Sequence, residues 1–225
     1  MVVRAAERAL ASGASRVAVG TDHEDIVRAC EAHGITAVMT SADHPTGTDR
    51  LSEAARFLGL APDEIVVNVQ GDEPLIPPAI IDAVAEALKK APDCAMSTAA
   101  HPIDSLESFL NPNVVKVEID AKNRAMTFSR APIPWPRDAF KDGAKTLPAD
   151  LTALHHIGIY AYRASFLADF PKLSRAPIEA QESLEQLRAM WHGYGITVLT
   201  LPENLPAGVD TAEDLERVRK VWVEN

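Results

Sequence analysis

Two carboxylates close an apolar run. Ile65-Val66-Val67-Asn68-Val69 leads into Gln70-Gly71-Asp72-Glu73-Pro74. A run rich in branched apolar residues reads as a core strand, and open α/β sheets bind ligands beyond the carboxyl ends of their strands. Gly71 permits an unusual backbone angle or close approach of a ligand. Asp72 and Glu73 offer hard oxygen donors, the kind Mg²⁺ takes beside substrate phosphates. A plain polar turn is the other reading of the same residues. A further acid stands in Gly208-Val209-Asp210-Thr211, ahead of the last helical stretch. Thr211 and Asp214 have capping-box spacing. Asp210 is then either a cap itself or a second metal ligand, if the last strand lies near residues 65–69.

Four other groupings carry chemistry. Thr46-Gly47-Thr48-Asp49-Arg50 puts a glycine and free N–H groups at a helix start, a general site for an anion or a base edge. Ser129-Arg130-Ala131-Pro132-Ile133-Pro134-Trp135-Pro136-Arg137 is a stiff extended loop with an arginine near each end. It either grips a carboxylate or phosphate, or simply connects. In Leu154–Tyr162, strand alternation sets His156, Gly158, Tyr160 and Tyr162 on one face, a ligand floor or a solvated edge. His155, Ile157, Ile159 and Ala161 fall on the other face, toward the core. Glu179, Glu182 and Glu185 repeat every three residues at the start of a helix, with Leu184, Leu187 and Trp191 facing the core. The acids form a solvated face near the positive helix end, or they accept hydrogen bonds from a polyhydroxylated ligand.

The elements that must position these groups alternate in type. Helical residues 1–12 precede a strand at Arg16–Val19. Asp22, with Asp25 three residues on, starts a helix. Ala37–Met39 is a strand, and Thr48 caps a helix through Phe57. Residues 65–69 form the next strand, and Pro78 opens a helix with Ile80, Ile81, Val84 and Leu88 on one face. Residues 114–119 and 125–128 make a β-hairpin around Asp120-Ala121-Lys122-Asn123, and 154–162 is a strand. Residues 178–191 are a helix, 196–200 a strand and 211–222 a final helix. This rhythm predicts an α/β fold with a doubly wound, mostly parallel, Rossmann-like sheet and an antiparallel hairpin extension. A single domain over 1–225 is expected.

Composition removes several classes. The chain has 225 residues, 47% of them apolar, enough for one sizeable core. No 18-residue apolar run or basic-apolar leader occurs, so neither a membrane span nor a secretory signal is expected. Cys30 and Cys94 sit in no metal-binding spacing, and a reducing cytoplasm is the expected setting. The formal net charge of −10, with no basic stripe, argues against nucleic acid. A polyphosphate ligand would need local cations or a metal.

Asp43-His44-Pro45-Thr46-Gly47-Thr48-Asp49-Arg50, the Asn68–Pro74 run, Asn111-Pro112-Asn113, Ser129–Arg137, His155–Arg163 and Gly208–Val218 occur in that order. Together they resemble the 3-deoxy-manno-octulosonate cytidylyltransferases (CMP-Kdo synthetases), nucleotidyltransferases of bacterial lipopolysaccharide synthesis. The resemblance covers essentially the whole chain. It implies transfer of CMP from CTP to Kdo, and a catalytic Mg²⁺ held by Asp72 and Asp210. Gly47, Thr48, Arg50 and Gln70 would lie along CTP. Arg130 would meet the carboxylate side of the sugar acid, and His156, Tyr160, Glu182 and Gln186 would line the sugar pocket. A homodimer through the 113–165 region is implied too. A cytidylyltransferase for another acid sugar, such as a sialic acid, and a non-catalytic nucleotide-binding protein are the alternatives. The family opens with a strand and an Arg-, Gly- and Lys-rich loop around the triphosphate, whereas this sequence opens in the helix that follows. Its sheet is therefore expected to lack a central strand, to expose an apolar slot there and to bind CTP poorly.

Overall fold

In the computed structural model, β-runs and helices alternate as the apolar periodicities require. The structure describes residues 1–205, 208, 209 and 211–223. In chain order the elements are α1 (Val2–Leu10), β1 (Ala18–Thr21), α2 (Glu24–Glu31), β2 (Thr36–Met39), α3 (Gly47–Phe57), β3 (Ile65–Asn68), α4 (Pro78–Lys90) and β4 (Cys94–Pro102). There follow α5 (Leu106–Leu110), β5 (Lys116–Ile119), β6 (Ala125–Ser129), β7 (Leu154–Arg163), α6 (Ala164–Asp169), α7 (Pro177–Glu182), α8 (Gln186–Trp191), β8 (Gly195–Thr200) and α9 (Ala212–Val223). The chain packs as two compact units, one of residues 1–86, 161–171 and 205–225, the other of residues 87–160 and 172–204.

In the first unit, β1 and β2 pair in parallel, with Ala18 opposite Thr36. α1 and α2 cover them with Val3, Ala6, Cys30 and Ile35. Burial pushes the Cys30 thiol pKa up, so it behaves as a core residue. β3 pairs with β7, whose residues 161–163 belong to this unit, and it shares no pairing with β1 among the described residues. The space between β1 and β3 is a slot of about 420 Å³. Val17, Val19, Val66 and Val67 form its edges, and Ala5 and Ala54 line it from α1 and α3. The expected apolar gap in the sheet is thus present.

Two helix starts differ from the sequence reading. His23, not Asp22, caps α2, its ring nitrogen accepting from the Asp25 amide. Asp22 instead takes the Arg50 guanidinium at 2.9 Å, and a backbone hydrogen bond and then Arg50 hold its carboxyl below the usual range. Thr46, not Thr48, caps α3. Thr48 lies within the first turn, buried, with its hydroxyl 3.3 Å from that of Tyr162.

In the second unit the strand order is β6-β5-β7-β4-β8. β4 and β8 are parallel, and β5 is antiparallel to both β6 and β7. The hairpin turn holds as expected. Asp120 accepts from the amides of Lys122 and Arg124, and Asn123 takes the left-handed conformation at φ 58. β4 has no counterpart in the sequence reading, because Thr98 is the one β-branched residue in Cys94-Ala95-Met96-Ser97-Thr98-Ala99-Ala100. β7 lies between β4 and β5 and is therefore an inner strand, not an edge. His156, Tyr160 and Tyr162 are accordingly buried rather than solvated.

The single helix expected over 178–191 is two. Ser183 adopts φ 53, a left-handed residue that ends α7. The Glu182 carbonyl there accepts from Arg130 Nε at 2.7 Å. Leu184 and Leu187 face the core as expected, but Trp191 is exposed. Glu179 is no part of a solvated face. It is buried against Arg188, with oxygen–nitrogen distances of 2.6–3.2 Å, and also accepts from the Ala176 amide.

Candidate functional site

Five of the residues assigned to the nucleotide and metal lie in the first unit. Gly47 is the first residue of α3, and Thr46 caps the helix with its side chain on the Asp49 amide. Arg50 does more than wait for a ligand. Its guanidinium donates to Thr40 Oγ1 at 2.7 Å, to the Ser41 carbonyl at 3.2 Å and to Asp22. These acceptors follow the carboxyl ends of β1 and β2, so Arg50 ties both strand ends to α3. Gly47, Arg50 and Gln70 all line the slot beside β3.

Asp72 is exposed, and its carboxylate bonds no group among the described residues. Its carbonyl accepts from the Val209 amide at 2.9 Å. Gly208 passes so close that an added Cβ would sit 2.8 Å from Glu73 Oε1 and 3.2 Å from the Asp72 carbonyl oxygen. Gly208 and Val209 are therefore built against the turn that carries Asp72. Asp210 itself lies outside the described residues. Thr211 and Asp214 do form the capping box read from sequence. Gly71 is not strained, since its φ is not positive and an added Cβ would meet only Val2 at ordinary contact distance. Neighbouring His44 pairs with Glu53 at 2.5 Å, and this bond holds the Glu53 carboxyl below its usual range. The pair lines a separate cavity of about 520 Å³ over α3 and α6 that includes none of the residues assigned above.

The second unit holds the residues assigned to the sugar. Glu182 accepts from Ser129 Oγ at 2.7 Å and from the Arg130 amide at 2.9 Å. The Arg130 side chain bonds the carbonyls of Glu182 and Pro112. Arg137, at the far end of the loop, is exposed and pairs with Asp138. Lys116, which no sequence pattern singled out, is fully buried. Its ammonium donates to the carbonyls of Asn111, Val114 and Arg130 at 2.6–3.0 Å, and burial lowers its pKa. It fixes the start of the Pro-rich loop to the segment that carries Asn111-Pro112-Asn113.

His156 is buried, with its ring edge-on to Phe128 at 4.9 Å and tilted against Tyr160 at 5.3 Å. Burial drives its pKa down to about 3, so the ring is neutral. Its Nε2 lies 3.0 Å from Thr98 Oγ1. His155 faces His101, Nδ1 to Nε2 at 3.0 Å, and burial lowers its pKa to about 4. Gln186 is buried, and its Nε2 has no hydrogen-bond partner among the described residues. Among the described residues no cluster of three or more His, Cys, Asp or Glu is placed to hold a metal by itself. The structure thus brings Arg130 and Glu182 together, and likewise His156 and Tyr160. Ser129, from the loop read in the sequence, joins the first pair, and Thr98 and Lys116 join without a sequence signal of their own.

The fold, with an acid-bearing turn after β3 beside the start of α3, is that of a nucleotidyltransferase. The chain belongs to the cytidylyltransferase family, whose sequence profile matches residues 1–204. Within that class it is 58% identical over 98% of its length to the 3-deoxy-manno-octulosonate cytidylyltransferase of Leptothrix cholodnii, covering 81% of that protein. It is 55% identical over 99% of its length to the protein of the same name from Neisseria meningitidis serogroup A, covering 87% of it. Among solved structures it is similar to a CMP:2-keto-3-deoxy-manno-octonic acid synthetase complexed with CTP. That likeness has a TM-score of 0.88 and 36% identity, over 99% of this chain and 87% of the other.

Proposed function

We propose that this protein transfers CMP from CTP to the anomeric C2 hydroxyl of 3-deoxy-D-manno-octulosonate, releasing pyrophosphate. The observation that carries the reading is identity of 55–58%, over nearly the whole chain, to proteins of that name. In this reading Gly47, Thr48, Arg50 and Gln70 lie along CTP. Arg50 does so from a guanidinium already fixed on three acceptors, so little side-chain freedom is lost on binding.

Asp72 and Asp210 would hold Mg²⁺. The fit rests on the donor chemistry, on the uncommitted Asp72 carboxylate and on the bond that joins Asp72 to Val209. When bound, the metal supplies positive charge at the phosphates and makes a nearby hydroxyl more acidic. The chain's own part is positioning. An in-line displacement at phosphorus gains most from aligned reactants and preset charge. Glu182 accepts sugar hydroxyl protons and keeps the Arg130 loop in place. Gln186 lies beside the same pocket, and neutral His156 orients another hydroxyl.

A homodimer, a cytoplasmic setting and a place in lipopolysaccharide synthesis belong to the same reading. No helix among the described residues is long and apolar enough to cross a membrane. The test is Mg²⁺-dependent pyrophosphate release from CTP with Kdo, beside a sialic acid control. Release that needs Kdo supports the reading, and release with the sialic acid alone sinks it. Sedimentation of the same preparation reports the dimer.

A further inference from the structure

We propose that Thr98 is a positioning residue for the sugar site: its hydroxyl fixes His156 as the Nε2–H tautomer and turns Nδ1 into a hydrogen-bond acceptor for a hydroxyl of the bound acid sugar. The proposal rests on the function given above. Its geometry stands within β4 and β7.

Thr98 is fully buried, and its Oγ1 has three neighbours. They are the Ile159 carbonyl at 2.7 Å, the Ile157 carbonyl at 3.1 Å and His156 Nε2 at 3.0 Å. A hydroxyl has one proton to give and lone pairs to receive with. Both carbonyls can only accept, and the shorter contact takes the proton. The contact with Nε2 then has the nitrogen donating into the hydroxyl oxygen. A neutral imidazole carries a single N–H, so with Nε2 protonated, Nδ1 bears the lone pair.

Three observations make Nδ1 usable. The ring cannot turn freely, because Phe128 and Tyr160 hold it. Burial keeps it neutral through the physiological range. His156 Nδ1 has no hydrogen-bond partner among the described residues, and unlike Glu118 Oε1 and Gln186 Nε2 it is not sealed. The residue keeps 8% of its surface exposed, an opening that a ligand hydroxyl can fill. A polyhydroxylated sugar offers donors, and an acceptor of fixed direction selects one of them. The other tautomer would set an N–H there instead.

The tautomer is read first, without substrate, by nitrogen NMR of the histidine-labelled protein. A pyrrole-like Nε2 and a pyridine-like Nδ1 on His156 are expected, and the reverse pattern overturns the proposal outright. Thr98→Val keeps the shape and removes the hydroxyl. It is expected to mix the tautomers and raise KM for Kdo about tenfold, with KM for CTP and kcat within about twofold. Thr98→Ser restores the hydroxyl and is expected to bring both the spectrum and KM for Kdo back to near wild type. An unchanged KM for Kdo in Thr98→Val, or a valine-like serine variant that is folded, also overturns it. If Thr98→Val does not fold, the wild-type spectrum and the serine variant still decide. Failure to release pyrophosphate at all refutes the assigned reaction and leaves the tautomer result standing, so the two failures are distinct.

Discussion

The amide of Val209 donates to the carbonyl of Asp72 across 2.9 Å. This bond ties the residues that precede Asp210 to the turn after β3, and it fastens them through backbone rather than through either carboxylate. The Asp72 side chain is left exposed and uncommitted.

Replacing that carboxylate should therefore cost chemistry and not structure. Asp72→Asn and Asp210→Asn are each expected to lower pyrophosphate release by about 10²–10³ or more, the scale of losing one preset electrostatic partner of a transition state. The thermal midpoint of Asp72→Asn should stay within about 2 °C of wild type, since no bond among the described residues is lost. Turnover and calorimetry on the same preparations check this. A large drop in midpoint with proportionate loss of activity would make Asp72 structural.

Gly208→Ala tests the approach itself. The new methyl would meet Glu73, which can swing aside, and the Asp72 carbonyl at 3.2 Å, which cannot move without moving the turn. The segment before Asp210 should shift by a few tenths of an ångström. Turnover is expected to fall at least tenfold, because reacting groups tolerate little displacement. KM for Kdo should change little. Full activity in this variant would show that the spacing around Asp72 is not critical.

Much of this was legible from residues alone. The 65–69 run, the hairpin around Asp120-Ala121-Lys122-Asn123 and the capping box at Thr211 each carry their own local signal, and each is where the pattern put it. What failed depends on contacts far apart in sequence. Glu179 looks solvated until Arg188, nine residues on, turns back to meet it. Asp22 looks like a cap until Arg50 claims it, and a histidine then takes the cap position. β4 reads as nothing because alanine and serine carry little strand signal, and its place comes from pairing with β7 and β8. Thr98, buried in that strand, was invisible for the same reason.

The buried histidines set an acid limit. The folded pKa values, about 4 for His155 and about 3 for His156, lie below the ordinary 6.5. Between those values the unfolded chain binds protons that the folded chain refuses. Stability is thus fully present above about pH 6.5 and falls as pH drops toward 4 and then 3. The slope should approach one proton per histidine. Urea midpoints at pH 7 and pH 5 should differ clearly in wild type and less in His155→Asn. Equal pH dependence in the two proteins would remove His155 from the account.

The strongest stability prediction concerns Glu179 and Arg188. Both side chains are nearly inaccessible, 3% and 6% exposed, and the guanidinium meets the carboxylate through Nε and Nη2 in a forked geometry. Two ions this buried are held at a desolvation cost that their mutual attraction and the Ala176 amide offset. Removing one partner takes the forked contact away from a charge that stays in the core, with Arg175 3.8 Å from Glu179. Arg188→Met is therefore expected to lose about 3–5 kcal/mol, and Glu179→Leu a similar amount. The double variant Glu179→Leu with Arg188→Met removes both charges and keeps volume. It should recover most of the loss and lie within about 1–2 kcal/mol of wild type, because apolar replacement of a buried pair is often near neutral. Urea denaturation of the four proteins closes the cycle. Strict additivity of the single losses would mean that the two groups do not act as a pair.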